Sequence, residues 1–344
     1  MQHRITKEGP LLDEMGILRE PGWDTKLSLQ YHRADIKAPA LRIKEWDYYL
    51  ISNGRYAVAL TIADNGYMGL DSISLLDLEN RWEQTTSPMR ILPMGRTRLP
   101  ETSLRGNVFS QGKGYQILFE NDGTRRRLTF HMDNFKDGKP IDGSITLTDV
   151  PEDSMVIATP FLGAPKAFYY NQKINCLRAQ GDTEFDGVVY RFSPEDAFAV
   201  LDWGRGVWTY DNTWYWSSAS GMLEGETFGF NLGYGFGDTS AASENMLFFG
   251  GKAHKLERVT FHIPQTDAGG DDFMSPWRFT SSDGRFEALF QPVLDRVAKT
   301  QVGPLGSDQH QVFGTFTGRA VLEDGRILHM DRFPGFAEKV RNKW

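Results

Sequence analysis

Cysteine is nearly absent from this sequence, since Cys176 is the single one among 344 residues. One cysteine excludes an intrachain disulfide, and a lone cysteine is most often a small buried side chain of a cytoplasmic protein. Long apolar runs are also absent: stretches such as residues 56–63 fall far short of the ~20 residues that a membrane helix needs. The N-terminal residues carry no apolar signal segment. We therefore expect a cytoplasmic protein without a membrane span.

An excess of positive charge is absent as well. The chain has 38 Lys and Arg against 45 Asp and Glu, which gives a net charge of −7. Nucleic-acid binding needs a basic face, so we expect no nucleic-acid partner. The seven histidines are scattered, and the sequence has no HExxH motif, no phosphate-binding loop and no nucleophile elbow. We expect neither a metal nor a cofactor.

Aromatic residues make up 13% of the chain, and glycine is abundant, with 35 residues. Short apolar runs end repeatedly in Gly, Asn, Asp or Pro, as at Asp64-Asn65-Gly66. This pattern is typical of an antiparallel all-β protein with little helix. Residues 336–343, which follow Pro334-Gly335, predict a short C-terminal helix.

The chain length favours two domains. Residues 1–45 read as an N-terminal arm that apolar anchors hold against the fold. We expect a first β-barrel over residues 46–190 and a second over residues 191–344. Residues 106–130 and 310–330 share a Val-Phe pair, a glycine and an Asp-Gly turn, which either duplication or chance explains.

The most unusual segment is residues 202–221, DWGRGVWTYDNTWYWSSASG, where four Trp alternate with charged residues. In a strand, Trp214 and Trp216 share one face and would form a flat apolar wall. Asp202 could act as a general acid if burial raised its pKa, and Arg205 could reach an anion. The alternative is that the Trp rings fill a core. Because packed cores rarely mix rings with this many charges, we interpret the segment as a pocket wall.

We predict two sets of site residues. The candidate catalytic residues are Asp202, Arg205 and Glu244. The candidate ligand-binding residues are Trp203, Trp208, Asn212, Trp214, Trp216, Asn231, Asn245 and His310. Gln311 and Glu338 are interpreted as turn or cap residues.

Several blocks resemble one family, the domain of unknown function 2804: the 202–221 block, FNLGYGFGD with ASEN, HQVFGTFTG, PGFAEKVRNKW, GILREPGWDT and KEWDYY. That family is distantly similar to the carotenoid hydratase and AttH-like superfamily. The resemblance implies two lipocalin-like β-barrels packed together. It also implies a cofactor-free hydratase or cyclase site at an Asp before Trp-Gly, which here is Asp202. The hydratase pattern usually has a His between that Asp and the Trp, and this chain has none.

Three hypotheses follow. The first is a binding protein that holds an apolar or amphipathic small molecule in a Trp-rich β-barrel pocket. The second is a hydratase- or cyclase-type enzyme in which Asp202 transfers a proton. The third is a partner-binding module with exposed aromatic residues. The sequence leaves the oligomeric state open.

Overall fold

A computed structural model describes residues 2–343 of the chain, and these residues are almost entirely β-strand. The N-terminal arm contains β1 (Gly9–Pro10), β2 (Gly22–Asp24) and β3 (Leu29–Gln30), followed by two 3-10 turns at Arg33–Asp35 and Ala40–Arg42. β1 pairs with β3, and β2 joins the first large sheet. In this described range, no helix is long and apolar enough to cross a membrane.

The first large sheet has fourteen strands within the described residues. Besides β2 it comprises β4 (Ile43–Ser52), β5 (Tyr56–Asp64), β6 (Met68–Asp77), β7 (Trp82–Thr86), β8 (Met89–Ile91), β9 (Val108–Gly112), β10 (Tyr115–Asn121), β11 (Arg126–Lys136), β12 (Lys139–Thr148), β13 (Met155–Phe161), β14 (Ala164–Phe185), β15 (Val188–Phe192) and β16 (Phe198–Val207). Its main path runs β7-β6-β5-β4-β16-β14-β12-β11-β10-β9. All the pairings between these strands are antiparallel.

The first sheet curls so that its two ends approach each other. Asp71 on β6 accepts hydrogen bonds from Ser110 on β9 and from Tyr115 on β10, at 2.7 and 2.8 Å. Thr86 on β7 donates to the carbonyl of Phe135 on β11. The enclosed side chains form one apolar core, which also takes in residues of the N-terminal arm.

The second sheet has nine strands in the part of the chain that the structure describes. They are β17 (Asp211–Leu223), β18 (Glu226–Tyr234), β19 (Met246–Phe249), β20 (Lys252–Lys255), β21 (Val259–His262), β22 (Trp277–Ser281), β23 (Phe286–Val302), β24 (Leu305–Val321) and β25 (Ile327–Lys343). They pair in the order β20-β19-β18-β17-β25-β24-β23-β22-β21. The sheet also curls, because Tyr234 on β18 accepts a hydrogen bond from the amide of Phe261 on β21. A second apolar core fills it.

The all-β fold is confirmed, but the predicted C-terminal helix is wrong. Residues 336–343 belong to β25, which pairs with β17 on one side and β24 on the other. Hydrogen bonding to both neighbours outweighs the local helix preference of this segment.

The internal similarity does not mark equivalent strands. Residues 106–130 span three strands, β9 to β11, whereas residues 310–330 span only β24 and the start of β25.

The chain changes sheets between Val207 and Asp211. β16, which the division at residues 190 and 191 places in the second unit, is hydrogen-bonded between β4 and β14 of the first sheet. The division into domains stays a prediction. A third apolar cluster lies where the two sheets meet, and it joins residues such as Tyr48, Val200, Trp216 and Phe336.

Candidate functional site

Strand β16 directs its alternate side chains to two different places. Trp203 and Arg205 point into the core of the first sheet, and both are fully buried. Val200 and Asp202 point the other way, towards the second sheet. The period-two alternation of a strand thus separates Asp202 from its neighbours in sequence.

Two rows of directly paired residues face each other between the sheets. On the first sheet, successive strands contribute Ser72, Thr61, Tyr48, Asp202 and Lys173. On the second sheet, successive strands contribute Arg296, Gln311, Glu338, Trp216 and Gly233. Three contacts join the rows, and they connect Tyr48 with Gln311, Lys173 with Trp216, and Arg296 with Ser74 beside Ser72.

A cavity of about 260 Å³ lies between these rows. Its aromatic wall packs ring against ring: Trp208 contacts Trp46, Trp214 and Phe236 edge-on, with ring centroids 4.6–5.8 Å apart. Tyr169 packs on Phe236 at 4.7 Å. Such a wall is rigid and suits a flat apolar group.

Asp202 is 8% exposed and lines this cavity. Its Oδ1 accepts a hydrogen bond from Asn171 at 2.6 Å and forms an ion pair with the Lys173 ammonium at 2.9 Å. Lys173 also lies 4.3 Å from the ring centroid of Trp216. The carboxyl group lies at the cavity, where it can meet a ligand or water.

Glu338 lines the same cavity from β25 and is 4% exposed. Its Oε1 accepts from the Trp214 indole at 3.1 Å, and its Oε2 accepts from Gln311 at 3.0 Å and Gln309 at 3.2 Å. Burial raises the pKa of Glu338 to about 7, and the Trp214 hydrogen bond and the charge of Arg296 oppose the rise. This carboxyl group can therefore give or take a proton near neutral pH.

Glu244 supplies a third buried carboxyl group to the cavity. Burial is the main cause that raises its pKa above the usual value, the ammonium of Lys173 opposes the rise, and the nearby charge of Asp202 adds to it. A methyl group at Gly233 would lie 3.0 Å from Oε2 of Glu244. Glycine at this position leaves room for the carboxylate.

The family model for the domain of unknown function 2804 (DUF2804) matches residues 2–344. The chain belongs to this family. No curated protein matches its sequence.

Two solved structures share the fold of this DUF2804 protein. Kievitone hydratase from Nectria haematococca is 11% identical, with a TM-score of 0.50 and 88% of each chain covered. A putative AttH protein from Nitrosomonas europaea is 15% identical, with a TM-score of 0.53, 92% of this chain covered and 96% of the other. At these identities the likeness shows the fold alone.

The structure brings five of the predicted site residues of this DUF2804 protein to the cavity. They are Asp202, Glu244, Trp208, Trp214 and Trp216.

Arg205 and Trp203 lie elsewhere, inside the first sheet. The Arg205 guanidinium is paired with Asp47 at 3.0 Å, donates to three backbone carbonyls, and lies 4.3 Å from the Trp203 ring centroid. Their positions give no support to a direct role in the site.

Two further predicted residues lie beside the cavity without lining it. Asn231 accepts from the Trp216 indole at 2.7 Å and donates to the backbone carbonyl of Glu244. Asn245 accepts from the amide of Gly233. Asn231 and Asn245 therefore hold site residues in place.

Asn212 and His310 lie outside this group. Asn212 bonds to Thr209 in a turn. His310 pairs with Asp295 at 2.6 Å and stacks on Phe273 near a separate surface depression.

Several residues that line the cavity were not predicted as site residues from the sequence. Lys173 and Tyr48 lie outside the Trp-rich segment in sequence, on β14 and β4, and strand pairing brings them next to Asp202. Gln311 and Glu338, interpreted as turn or cap residues, lie in mid-strand and face the cavity. The signal available was alternation in residues 336–340, which places Phe336, Glu338 and Val340 on one face of a strand.

Cys176 is buried, as predicted, and burial raises the pKa of its thiol to about 12. It therefore carries almost no thiolate at neutral pH. Among residues 2–343, no cluster of three or more His, Cys, Asp or Glu is arranged to hold a metal ion.

Proposed function

We propose that this protein is an enzyme that adds water to, or removes it from, a carbon–carbon double bond of a small amphipathic molecule by acid–base catalysis. The reaction takes place in the cavity between the two sheets. Glu338 is the proton donor in the direction of hydration, and Asp202 is the base that activates water.

The observation that carries this proposal is the set of buried carboxyl groups at one cavity. A cavity that only held an apolar ligand would gain nothing from burying Asp202, Glu244 and Glu338 together, because each carboxylate loses solvation there. Their environments also differ: Asp202 is paired with Lys173, whereas Glu338 has no cation within ion-pair distance in the described chain and has a pKa of about 7. Carboxyl groups with divergent environments are the usual arrangement of a paired acid and base.

Hydration uses these two groups in a balanced step. The Glu338 proton passes to one alkene carbon, and the π electron pair forms the new C–H bond. Water attacks the other carbon to form the C–O bond, and its proton passes to the Asp202 carboxylate. Solvent exchange returns the proton to Glu338. The aromatic wall stabilises positive charge that develops on the attacked carbon through cation–π contact.

The structural neighbour named a hydratase supports this choice of reaction, because the two proteins share the fold. The aromatic wall supports an amphipathic ligand. The same wall favours a second candidate function, a binding protein for such a molecule, in which the carboxyl groups only orient a polar end.

The test uses a metabolite extract incubated with the purified protein in ¹⁸O-labelled water and analysed by mass spectrometry. We expect products that carry one heavy oxygen with the wild-type protein. Glu338→Gln and Asp202→Asn should lower the rate at least about 100-fold, which is the usual contribution of a general acid or base. Glu79→Gln is the matched control, because Glu79 is exposed and paired with Arg55 at the surface.

Wild-type rates in both site variants would contradict the proposal. A small molecule that co-purifies with the protein in native mass spectrometry, gains no label and still binds Asp202→Asn would favour the binding protein.

A further inference from the structure

Arg296 is a buried guanidinium at one end of the second row. It is 9% exposed and lines the cavity. Its Nη1 donates to the hydroxyl of Ser74 at 2.9 Å, and the hydroxyl of Tyr48 lies beside it. Across residues 2–343, no carboxylate lies within ion-pair distance of this guanidinium.

The buried Arg205 and the partly buried Arg90 have carboxylate partners, whereas the buried Arg126 donates to the backbone carbonyl of Ser103 and has no carboxylate partner among the described residues. Arg205 pairs with Asp47, and Arg90 forms a two-pronged contact with Asp71 at 2.8 and 3.0 Å. A buried cation without such a close partner is costly, because the guanidinium loses its solvation. The charge of Arg296 lowers the pKa of Glu338, but this carboxyl group lies beyond ion-pair distance. Unlike Arg126, Arg296 lines the cavity, so a negative group from outside the chain can reach it and complete the site.

The cavity is polar at this end and aromatic at the other. Hydroxyl-bearing residues line it near Arg296: Thr61, Ser72, Thr85 and Ser87. The aromatic wall includes Trp214 on β17, whereas Arg296 lies on β23. β25 and β24 lie between these two strands. Three strand spacings correspond to roughly 14 Å. Glu338 and Asp202 lie between the two ends.

We propose that Arg296 binds an oxyanion that is part of the substrate. The substrate class is then an amphipathic acid, with a carboxylate, sulfonate or phosphate ester on Arg296 and an apolar body on the Trp wall. This proposal extends the proposed function and rests on it for the position of the reacting double bond. With the anion on Arg296, that bond lies beside Glu338 and Asp202. The planar fork of N–H donors in arginine matches an oxyanion better than a point charge does.

The test compares two fluorescent probes of the same ring system. 1-Anilinonaphthalene-8-sulfonate carries a sulfonate, and N-phenyl-1-naphthylamine lacks it. We expect the wild-type protein to bind the sulfonate at least about tenfold more tightly, as a charge-assisted hydrogen bond to a buried partner predicts. Trp214→Ala should weaken the binding of both probes, which locates them in the cavity.

Arg296→Gln should remove the preference for the sulfonate and leave the affinity for the neutral probe nearly unchanged. Arg55→Gln, at an exposed ion pair with Glu79, is the control and should keep the preference. Arg296→Met retains the apolar stem and replaces the Gln variant if that variant does not fold. Inorganic sulfate should compete only weakly if the oxyanion must belong to a larger apolar molecule, and strong competition would indicate a site for a free anion instead.

Equal wild-type affinity for the two probes, or a preference that survives both Arg296 substitutions, overturns the inference. This binding experiment needs no turnover. If it fails, the acid–base proposal stands, and if isotope incorporation fails, the assignment of Arg296 as an oxyanion site stands.

Discussion

Glu338 differs from the surface carboxylates of this protein in its surroundings. Glu79 is half exposed and pairs with Arg55, whereas Glu338 is buried and, among the described residues, accepts hydrogen bonds from neutral donors, an indole and two amides. Neutral donors stabilise a carboxylate less than a paired cation does. Burial outweighs the Trp214 hydrogen bond and the charges of Arg296 and Lys173, which lower the pKa of Glu338, so the proton is held more tightly in the folded protein than in the unfolded chain.

This difference predicts how stability depends on pH. The pKa of Glu338 rises from 4.5 to about 7 on folding, so between these values the folded state binds more protons than the unfolded state. The free energy of unfolding should fall as pH rises through this window, by about 3 kcal/mol from this group. Glu338→Gln should remove that fall. Urea unfolding of both proteins at pH 5 and pH 8 measures it, and equal pH dependence in the two would contradict the assignment.

The Lys173–Asp202 pair allows a second prediction. Asp202→Asn leaves the Lys173 ammonium buried without its partner and should destabilise the protein by about 3 kcal/mol. Adding Lys173→Met should recover most of that loss, because the unpaired charge is removed.

Urea denaturation of the four proteins in this double-mutant cycle gives the coupling between Lys173 and Asp202. Asp211→Asn, at an exposed pair with Arg341, is the control and should change little. Additive effects of the two site substitutions would mean that the pair contributes no coupling.

At this scale the sequence predicted Asp202, Glu244 and three Trp as cavity residues but missed Lys173 and Glu338. The first group lies in or near an unusual block whose composition draws attention. The second group acquires its meaning only from strand pairing, since Lys173 lies opposite Asp202 and Glu338 opposite Trp216. A single sequence does not contain that register.

Strand β16 shows how one element serves two environments. It places Asp202 at the cavity and Arg205 in the core of the first sheet. The Asp-Trp-Gly-Arg block therefore contributes one residue to the site and others to the core that supports it. Gly204 lies between Asp202 and Arg205, on the Asp202 face. A methyl group there would lie 2.0 Å from the ring of Trp46, which leaves no room for a side chain.

We therefore expect Gly204→Ala to destabilise the protein by about 2 kcal/mol, the usual cost of overpacking a core. The substitution should also shift the tryptophan fluorescence, because the added methyl group displaces the Trp46 indole, which packs on Trp208. Gly9→Ala is the control, because a methyl group there meets nothing within 4 Å. Thermal unfolding with fluorescence detection checks both effects, and equal stability of the two variants would contradict this account of β16.

The C-terminal strand illustrates the limit of local prediction for elements. Residues 336–343 contain good helix formers and follow Pro334-Gly335, which predicts a helix start. β25 instead forms a strand between β17 and β24. β17 is remote in sequence, and the pairing of β25 with β24 is defined only in the folded sheet. Most other strands were predictable because turn residues separate them.

At the scale of the whole molecule, two curled sheets each enclose a core, and their outer faces meet around the cavity. The sequence predicted the all-β class from turn spacing and aromatic content. It placed the pocket in a barrel, however, whereas the cavity lies between the sheets. Which outer faces meet depends on the packing of complete sheets, and no local pattern encodes it.

This shared interface predicts cooperative unfolding. The interface cluster and the contact of Tyr48 with Gln311 would be lost if either sheet unfolded alone. We expect a single transition in differential scanning calorimetry, with the calorimetric enthalpy equal to the van't Hoff enthalpy. Two resolved transitions would show that the sheets are energetically independent.

The most direct test of the central claim is to titrate Glu338 itself. ¹³C NMR of the protein labelled at the glutamate side-chain carboxyl, with Glu338→Gln to assign the signal, follows one group in the folded molecule. We predict that the Glu338 signal titrates near pH 7, as required of a proton donor at the cavity. A midpoint near the ordinary value of 4.5 would contradict the account, because Glu338 would then carry no proton to give at neutral pH.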